Sequence, residues 1–544
     1  MKQPRRLYPP FHFQAKMNAA TAWPSAAPSF PTCGRAAGTG RRCLPLSPPP
    51  KPSPWRGRVG GPTEARAGAV FPQLPLKIDK KSGYSRSKFS VPPPFFPAAA
   101  IEIYTKIVYI VLHRPYYPAQ CANSVARRRR IGRPERPTKN KKAGEPMSNR
   151  FVYADNAATT RLLPAVLEAM TPYLTEEYGN PSSLYRFGQN ARQAMDDARS
   201  TVAECLHCRP DEVFFTSGGS EADNWALKMA AEAMAQKGKK HIISTVFEHH
   251  AVLHTLDHLK KQGFEITLLP VYENGIVRVE DVKAALRPDT ALVSVMFANN
   301  EIGTIQPIPA IGSLCREAGV LFHTDAVQAV GHIPVDFAGM QIDLLSLSAH
   351  KFHGPKGAGA LLIRRGVRFP NLIDGGAQEK GRRAGTENTA GIVGLAAALK
   401  LACASLEENG RRLTAMRDRL AQGLLAAAER SRLNGDAARR LPGNVNLSFE
   451  GIEGESLLLM LDFKGICASS GSACTSGSLD PSHVLLAIGL PHATAHGSLR
   501  LSLSEETTEE DIDYLLREIP PVVQRLRDMS PLWERILKGE DAEG

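Results

Sequence analysis

A lysine follows an apolar strand in the segment Ser346-Leu-Ser-Ala-His-Lys-Phe-His-Gly354, and this residue, Lys351, offers the clearest chemistry in the chain. A primary amine becomes a covalent catalyst when it condenses with a carbonyl, and pyridoxal 5′-phosphate is the common biological aldehyde held in this way. A surface lysine in a glycine-rich turn would produce the same short string. Other parts of the chain must therefore decide between the two interpretations.

An anion site is predicted where the strand of Phe215-Thr-Ser-Gly-Gly-Ser-Glu-Ala-Asp-Asn224 turns through two glycines into a helix that begins at Ser220. The backbone N–H of Gly219 and the hydroxyl of Ser220 would face a phosphate at the N-terminus of this helix. The alternative is a tight strand-to-helix turn with a capping serine and no ligand.

Two polar residues follow another apolar strand. Asp325 ends the strand Val320–Thr324, and Gln328 comes three residues later, on the same side of the first helical turn. A buried carboxylate keeps a pyridine nitrogen protonated, and an amide can bind the ring hydroxyl. A helix-capping aspartate is the structural alternative.

His249, in Phe247-Glu-His-His-Ala251, follows a third strand and could lie over the face of the ring and move protons, although a single histidine is often structural.

A thiol and a guanidinium complete the set of candidates. The small-residue loop 468–478 presents Cys474, whose thiolate would act as a nucleophile on a bound substrate. Arg500, in Ser498-Leu-Arg-Leu-Ser502, offers a bidentate fork for a substrate carboxylate. An arginine on the surface of an edge strand is the alternative for Arg500.

The elements that must position these residues alternate between short apolar strands and amphipathic helices such as 281–286 and 308–318. This alternation predicts an α/β domain with a mostly parallel sheet, which binds ligands at the carboxyl ends of its strands. From about Ala390 a long Ala/Leu-rich helix runs through Ala404 and beyond, and further strands and a closing helix from Thr508 follow.

We therefore predict a large cofactor-binding domain over 164–400 and a smaller α+β domain over 401–534, which residues 151–163 join.

The first 146 residues differ in composition from the rest. They carry 27 Lys and Arg against 5 Asp and Glu and 24 of the 41 prolines, whereas the other 398 residues carry 40 against 49. Such a segment cannot bury enough apolar surface to fold, so we predict a disordered extension over 1–146. Three interpretations stay open: a spurious extension upstream of a start at Met147, a targeting peptide, or a basic arm for nucleic acid.

The nine cysteines are odd in number and scattered, which fits a reducing compartment better than a disulfide framework. Cys205-Leu-His-Cys208 has no second pair to complete a zinc site, so we expect free thiols there. The longest apolar run, Ile107–Leu112, is too short to span a bilayer, and no secretory signal is visible. We expect a cytoplasmic protein without a membrane partner.

Taken together, these motifs resemble the cysteine desulfurases of iron–sulfur assembly, within the class V aminotransferases. The resemblance covers about residues 151–532. It rests on the motifs Tyr153-Ala-Asp-Asn-Ala-Ala-Thr-Thr160, Gly179-Asn-Pro-Ser-Ser183, Thr216-Ser-Gly-Gly-Ser-Glu221, Asn299-Asn-Glu-Ile-Gly303, His323-Thr-Asp-Ala-Val-Gln328, Ser348-Ala-His-Lys351, Arg383-Ala-Gly-Thr386 and the Cys474 loop. It implies a pyridoxal-phosphate-dependent transferase fold of the aspartate aminotransferase type.

The resemblance also implies a role for each candidate. Lys351 would bind the cofactor covalently, Cys474 would carry a persulfide, and Arg500 would bind the carboxylate of L-cysteine. Thr386 would contact the cofactor phosphate across a homodimer interface. The remaining cofactor contacts implied by the resemblance are Gly219, Ser220, His249, Asn300, Asp325, Gln328, Ser348 and His350.

The implied activity is the conversion of L-cysteine to L-alanine, with transfer of sulfur from Cys474 to an acceptor protein such as an iron–sulfur scaffold. Cys474 would also serve as a transient cluster ligand. A selenocysteine lyase or an aminotransferase on the same fold is the alternative. A nucleic-acid-binding protein that uses the basic extension is a further alternative, of a different class.

Overall fold

The computed structural model describes residues 150–470 and 481–539. Cys474 and the predicted extension over 1–146 lie outside the described residues. The strands, in chain order, are β1 (Val152–Tyr153), β2 (Val213–Thr216), β3 (His241–Thr245), β4 (Glu265–Leu269), β5 (Thr290–Ser294), β6 (Leu321–Asp325), β7 (Leu344–Ser348), β8 (Gly359–Ile363), β9 (Ser431–Leu433), β10 (Asn444–Phe449), β11 (Ile466–Cys467) and β12 (Ser498–Ser502).

Helices cover the faces of the sheets that these strands form. They are α1 (Pro164–Met170), α2 (Pro172–Thr175), α3 (Arg186–Cys205), α4 (Gly219–Ala235), α5 (His250–Lys261), α6 (Val279–Ala285), α7 (Ile308–Ala318), α8 (Gln378–Gly381), α9 (Thr389–Ala404), α10 (Leu406–Ala427), α11 (Gly454–Asp462), α12 (His483–Ala487), α13 (His492–His496), α14 (Glu509–Asp528) and α15 (Pro531–Leu537).

The largest sheet has seven strands in the order β2-β8-β7-β6-β5-β3-β4. Strands β4, β3, β5, β6 and β7 are parallel, whereas β8 is antiparallel to both of its neighbours. Most of these strands are buried through their whole length, because helices cover both faces of the sheet. The predicted α/β class with a mostly parallel sheet is confirmed.

One edge of this sheet collects the carboxyl ends of β2, β3, β5, β6 and β7. The segments that leave these ends carry the residues singled out above. Asp325 ends β6, Ser348 ends β7, and the register pairs Asp325 with Ser346 on the neighbouring strand. The parallel topology therefore gathers side chains that lie far apart in the sequence.

A second hydrophobic core surrounds the antiparallel sheet β12-β10-β9 and packs it against α10, α11 and α14. The short strand β1 pairs in parallel with β11, through Val152 with Ile466 and Tyr153 with Cys467. This pairing fixes the segment that follows β1, which enters the site described below. The domain boundaries proposed from the sequence stay a prediction.

The Ala/Leu-rich stretch differs from the single long helix predicted from the sequence. It forms two helices, α9 and α10, that meet at Ser405 with a bend of 71°. Of the helices within 150–470 and 481–539, none alone is long and apolar enough to cross a membrane. The bent pair α9 and α10 passes that test of length and composition only when taken together.

Candidate active site

Lys351 ends a short 3₁₀ turn, Ala349–Lys351, that leaves the carboxyl end of β7. Its Nζ donates to the backbone carbonyls of Ala157 at 2.6 Å and Ala158 at 2.9 Å. The same Ala157 oxygen accepts a hydrogen bond of 3.0 Å from Nε2 of the buried Gln328. The segment after β1 thus holds the predicted lysine and glutamine together.

Asp325 is buried at the end of β6, and its Oδ1 accepts a hydrogen bond of 2.9 Å from the backbone N–H of Val327. Burial raises the pKa of Asp325, while the charges of His249 and Lys351 act in the opposite direction. These three predicted residues therefore lie within electrostatic reach of one another. A cationic ring nitrogen bound beside Asp325 would stabilise its ionised form.

His249 is the N-cap of α5, and its Nδ1 accepts a hydrogen bond of 3.1 Å from the backbone N–H of Ala251. A neutral ring in this position carries its proton on Nε2. Burial lowers the pKa of His249, which favours the neutral form. The histidine can therefore present a neutral ring face, with a proton on the nitrogen that points away from its helix.

The start of α4 provides a cradle for an anion. Gly218 has a φ of +155°, and no side chain caps the helix. The first N–H groups of α4, from Gly219 onward, have no acceptor within the helix because the first helical bond runs from Ala222 to the Gly218 carbonyl. A Cβ at Gly218 would lie 3.6 Å from Oγ of Ser348. Ser348 therefore lies close to the start of α4, as the predicted phosphate site requires.

His350 lies beside the lysine and is fixed by a contact of 3.1 Å between its Nδ1 and Oγ1 of Thr159. Burial lowers its pKa to about 4, and the charge of Lys351 adds to this shift. The ring is therefore neutral near pH 7. His350 can serve as a hydrogen-bonding ligand but adds no positive charge for a phosphate.

Arg500 is buried on β12 rather than exposed at a strand edge. Its Nη1 donates to the carbonyl of Asn300 at 3.0 Å and its Nη2 to Oδ1 of Asp155 at 2.9 Å. Among the described residues its Nε has no hydrogen-bond partner. A buried donor of this kind suits a ligand acceptor such as a carboxylate.

Cys474 itself lies outside the described residues, but the chain on both sides of 471–480 is attached at the site. On one side, Oγ of Ser469 donates to Oδ1 of Asp155 at 2.9 Å. On the other side, Oγ of Ser482 donates to the carboxylate of Glu301, and Nε2 of His483 lies 3.1 Å from a backbone carbonyl next to His249.

Thr386 is exposed on the loop between α8 and α9. Two ion pairs anchor this loop and the short helix α8 that precedes it. Arg383 binds Glu221 of α4 through bonds of 2.8 and 3.0 Å, and the buried Arg199 of α3 binds Glu379 through bonds of 2.9 and 2.7 Å.

Several buried polar residues around the site were not singled out from the sequence. Burial raises the pKa of Glu248 to about 8 and that of Glu301 to about 7, and it also raises the pKa of Asp223. Burial lowers the pKa of His323 to about 3, and this ring lies between two serine hydroxyls. Each of these residues lies within one of the sequence motifs that carry the candidate site residues. That position in a motif is the signal that could have identified it.

The site fits pyridoxal phosphate in three respects. It has an amine at a strand end, a buried carboxylate for the ring nitrogen, and an uncapped helix start next to a serine hydroxyl for the phosphate. Within residues 150–470 and 481–539, no group of three or more His, Cys, Asp or Glu side chains is arranged to hold a metal ion.

Comparison with known proteins gives consistent results. Residues 152–515 match the family model described as Aminotransferase class-V. A protein named cysteine desulfurase IscS from Clostridium botulinum (strain Hall) is 58% identical over 395 residues, which cover 72% of this chain and 99% of that protein. A protein of the same name from Methanosarcina thermophila is 56% identical over 384 residues, which cover 71% of this chain and 95% of that protein.

Solved structures agree with this result. A structure titled NIFS-like protein has a TM-score of 0.66 and 40% identity, and the match covers 69% of this chain and all of that chain. A structure titled SspA in complex with cysteine has a TM-score of 0.58 and 36% identity, and the match covers 65% of this chain and 98% of that chain.

Proposed function

On the premise that this chain belongs to the class V aminotransferase family and, within it, to the cysteine desulfurases, we propose that it converts L-cysteine to L-alanine. Its cofactor is pyridoxal phosphate, and it passes the sulfur on as a persulfide of Cys474. One observation carries this proposal above the others. The amine of Lys351 and the amide of Gln328 bind the same carbonyl oxygen, that of Ala157, at the edge of the sheet where Asp325 ends β6.

Bound pyridoxal phosphate supplies an aldehyde that condenses with amines and a ring that takes up the electrons of a bond broken at Cα. Lys351 would hold this aldehyde covalently and, once the substrate amine has replaced it, would move the Cα proton. The carbonyls of Ala157 and Ala158 orient its Nζ for that transfer.

The neighbouring side chains would control where protons lie. Asp325 would hold a proton on the ring nitrogen, because a buried carboxylate next to a cation is stabilised in its ionised form. His249 would cover the ring face with its proton on Nε2, and Gln328 would orient the ring hydroxyl. The N–H groups at the start of α4, with Ser220 and Ser348, would bind the phosphate.

The sulfur step would use the substrate, held on the cofactor that takes up electrons, and one thiol of the protein. Arg500 would bind the substrate carboxylate. The thiolate of Cys474 would then attack the substrate sulfur, forming a sulfur–sulfur bond as the bond between sulfur and carbon breaks. A proton passes to the carbon, so that L-cysteine and the thiol give L-alanine and a persulfide without an external oxidant.

The proposal includes a homodimer. Apolar side chains are exposed between α1 and α3, among them Leu174, Tyr178, Tyr185 and Leu184, of which Leu184 is 96% exposed. An exposed apolar group of this kind favours an interface with another protein surface. The exposed Thr386 would then contact the cofactor phosphate of the other subunit.

The sulfur acceptor is proposed to be an iron–sulfur scaffold protein, on which Cys474 would act briefly as a cluster ligand. A cytoplasmic location fits this chemistry, because the Cys474 thiol must be reduced before it can attack the substrate, and thiols are kept reduced in the cytoplasm. Within the described ranges, Cys205, Cys208, Cys315, Cys403 and Cys467 are free thiols.

Incubation of the purified protein with L-cysteine tests the proposal. We expect alanine to form together with protein-bound persulfide, and both to be lost in Lys351→Ala. The Cys474→Ala variant distinguishes the alternatives, because an aminotransferase would not need this thiol. Unchanged alanine production in Cys474→Ala would exclude the persulfide route, and formation of 3-mercaptopyruvate in place of alanine, when a keto acid is supplied as the amino-group acceptor, would indicate transamination.

A further inference from the structure

The guanidinium of Arg500 already has a carboxylate partner within the protein. Only 4% of the Arg500 side chain is exposed, against 18% for Asp155, whose Oδ1 lies 2.9 Å from Nη2. A buried guanidinium without a counter-charge is strongly unfavourable, so Asp155 stabilises the protein when no ligand is bound. Asp155 uses one oxygen only, and Nε of Arg500 is left without a partner among the described residues.

We propose that Asp155 is a specificity-determining residue that competes with the carboxylate of the bound amino acid for Arg500, an inference that rests on the proposed function. A second carboxylate on the same guanidinium is attracted by Arg500 but repelled by Asp155, and this repulsion is stronger in a buried site than in water. Asp155 therefore weakens the binding of any ligand that contacts Arg500 through a carboxylate of its own.

The local structure allows the Asp155 side chain to rotate away from Arg500 without unfolding of the segment. Its backbone is fixed by pairing with Ser502, so only the side chain needs to turn. The hydroxyl of Ser469 donates to the same Oδ1 at 2.9 Å, so Asp155 keeps a hydrogen-bond donor when Arg500 binds a ligand. The carbonyl of Asn300 still holds Nη1. Arg500 thus stays in place while its free edge, Nε, takes the new partner.

This arrangement matters most for the product. L-Alanine keeps the amine and the carboxylate of L-cysteine, so a site that bound these groups very tightly would release its product slowly. An internal carboxylate that offsets part of the attraction would favour release of L-alanine.

The test measures equilibrium binding to the holoenzyme by the change in the absorbance of its cofactor. Asp155→Asn removes the charge but keeps the shape and a hydrogen-bond acceptor. Asp155→Ser removes the charge with a smaller side chain. The ligands are L-alanine and ethylamine, which is L-alanine without its carboxylate. Asp211→Asn, which neutralises an exposed partner of Arg209 outside the site, is the matched control.

We expect both Asp155 variants to lower the Kd for L-alanine about tenfold or more, which corresponds to about 1.4 kcal/mol. The Kd for ethylamine should change less than twofold, and Asp211→Asn should match the wild type with both ligands. L-Alanine should also raise the thermal unfolding temperature of Asp155→Asn by more than it raises that of the wild type.

Weaker binding of L-alanine to both Asp155 variants would overturn the inference and would make Asp155 a residue that merely orients Arg500. An equal change for ethylamine would also overturn it. If the wild type neither responds to L-alanine nor forms alanine from L-cysteine, the proposed function fails and the inference fails with it. If the wild type does both, an unchanged Kd in the variants refutes only the role of Asp155.

Discussion

The buried pair of Arg199 and Glu379 permits a quantitative prediction. Their side chains are 6% and 3% exposed, and the Glu379 carboxylate accepts two hydrogen bonds from Arg199 and a third, of 2.9 Å, from the backbone N–H of Phe215. In Glu379→Gln an amide N–H₂ group must face at least one of these donors, and the guanidinium loses its counter-charge. Removing one partner of a buried pair costs about 3–5 kcal/mol.

Glu379 also has a φ of +48°, in the left-handed region that residues other than glycine seldom adopt. The pair therefore holds the strained α8 in place, and the loop that follows α8 carries Arg383 and Thr386. We expect Glu379→Gln to lower the free energy of unfolding by about 3 kcal/mol or more. The variant should also bind the cofactor more weakly if Thr386 acts across a dimer.

The assay is urea unfolding of the full-length protein, followed by circular dichroism. Glu450→Gln is the matched control, because Glu450 pairs through its side chain with Arg430 at a site where the two side chains are 37% and 51% exposed. Such an exposed pair contributes about 0–1 kcal/mol. Equal, small losses in the two variants would refute the reasoning about burial.

Three further predictions concern the site. Gly218→Ala should raise the Kd for pyridoxal phosphate, measured by dialysis against the free cofactor. A Cβ at this position would enter the anion cradle 3.6 Å from Oγ of Ser348, and the φ of +155° disfavours alanine. An unchanged Kd would place the phosphate elsewhere. Burial raises the pKa of Glu248 from its ordinary 4.5 to about 8, so the folded protein retains a proton that the unfolded chain releases. Wild-type stability should therefore fall as the pH rises from about 4.5 to about 8, and Glu248→Gln should lack this component in urea titrations across that range; parallel profiles would contradict the assignment. Ser482→Ala should lower the free energy of unfolding by about 1 kcal/mol or more, because Ser482 caps α12 and also binds Glu301. The control Ser530→Ala should cost less, because the Ser530 hydroxyl caps α15 through one hydrogen bond from the backbone N–H of Trp533.

Much of the site could be predicted because the candidates follow parallel strands. Asp325 and Lys351 leave the carboxyl ends of β6 and β7, and the topology of a parallel sheet brings such ends to one edge. The amphipathic pattern over 308–318 also predicted α7 with the bounds that the structure has. In both cases the local pattern and the topology agree.

The parts that could not be predicted depend on contacts between distant segments. Ala157 reaches Lys351 because β1 pairs with β11. Strand β1 has only two residues, which is too few for a sequence pattern to predict that pairing. Asp155 meets Arg500 across 345 residues because its backbone pairs with Ser502 of β12. The break at Ser405 was missed because alanine and leucine favour a helix on both sides of it.

The central claim is that the amine at Lys351 and the thiol at Cys474 act on the same substrate. Its most direct test is peptide mass spectrometry after incubation with L-cysteine, without reduction. The account predicts that the peptide with Cys474 gains the mass of one sulfur atom in the wild type and gains nothing in Lys351→Ala. Sulfur found on another cysteine, or found equally on Cys474 in Lys351→Ala, would contradict it.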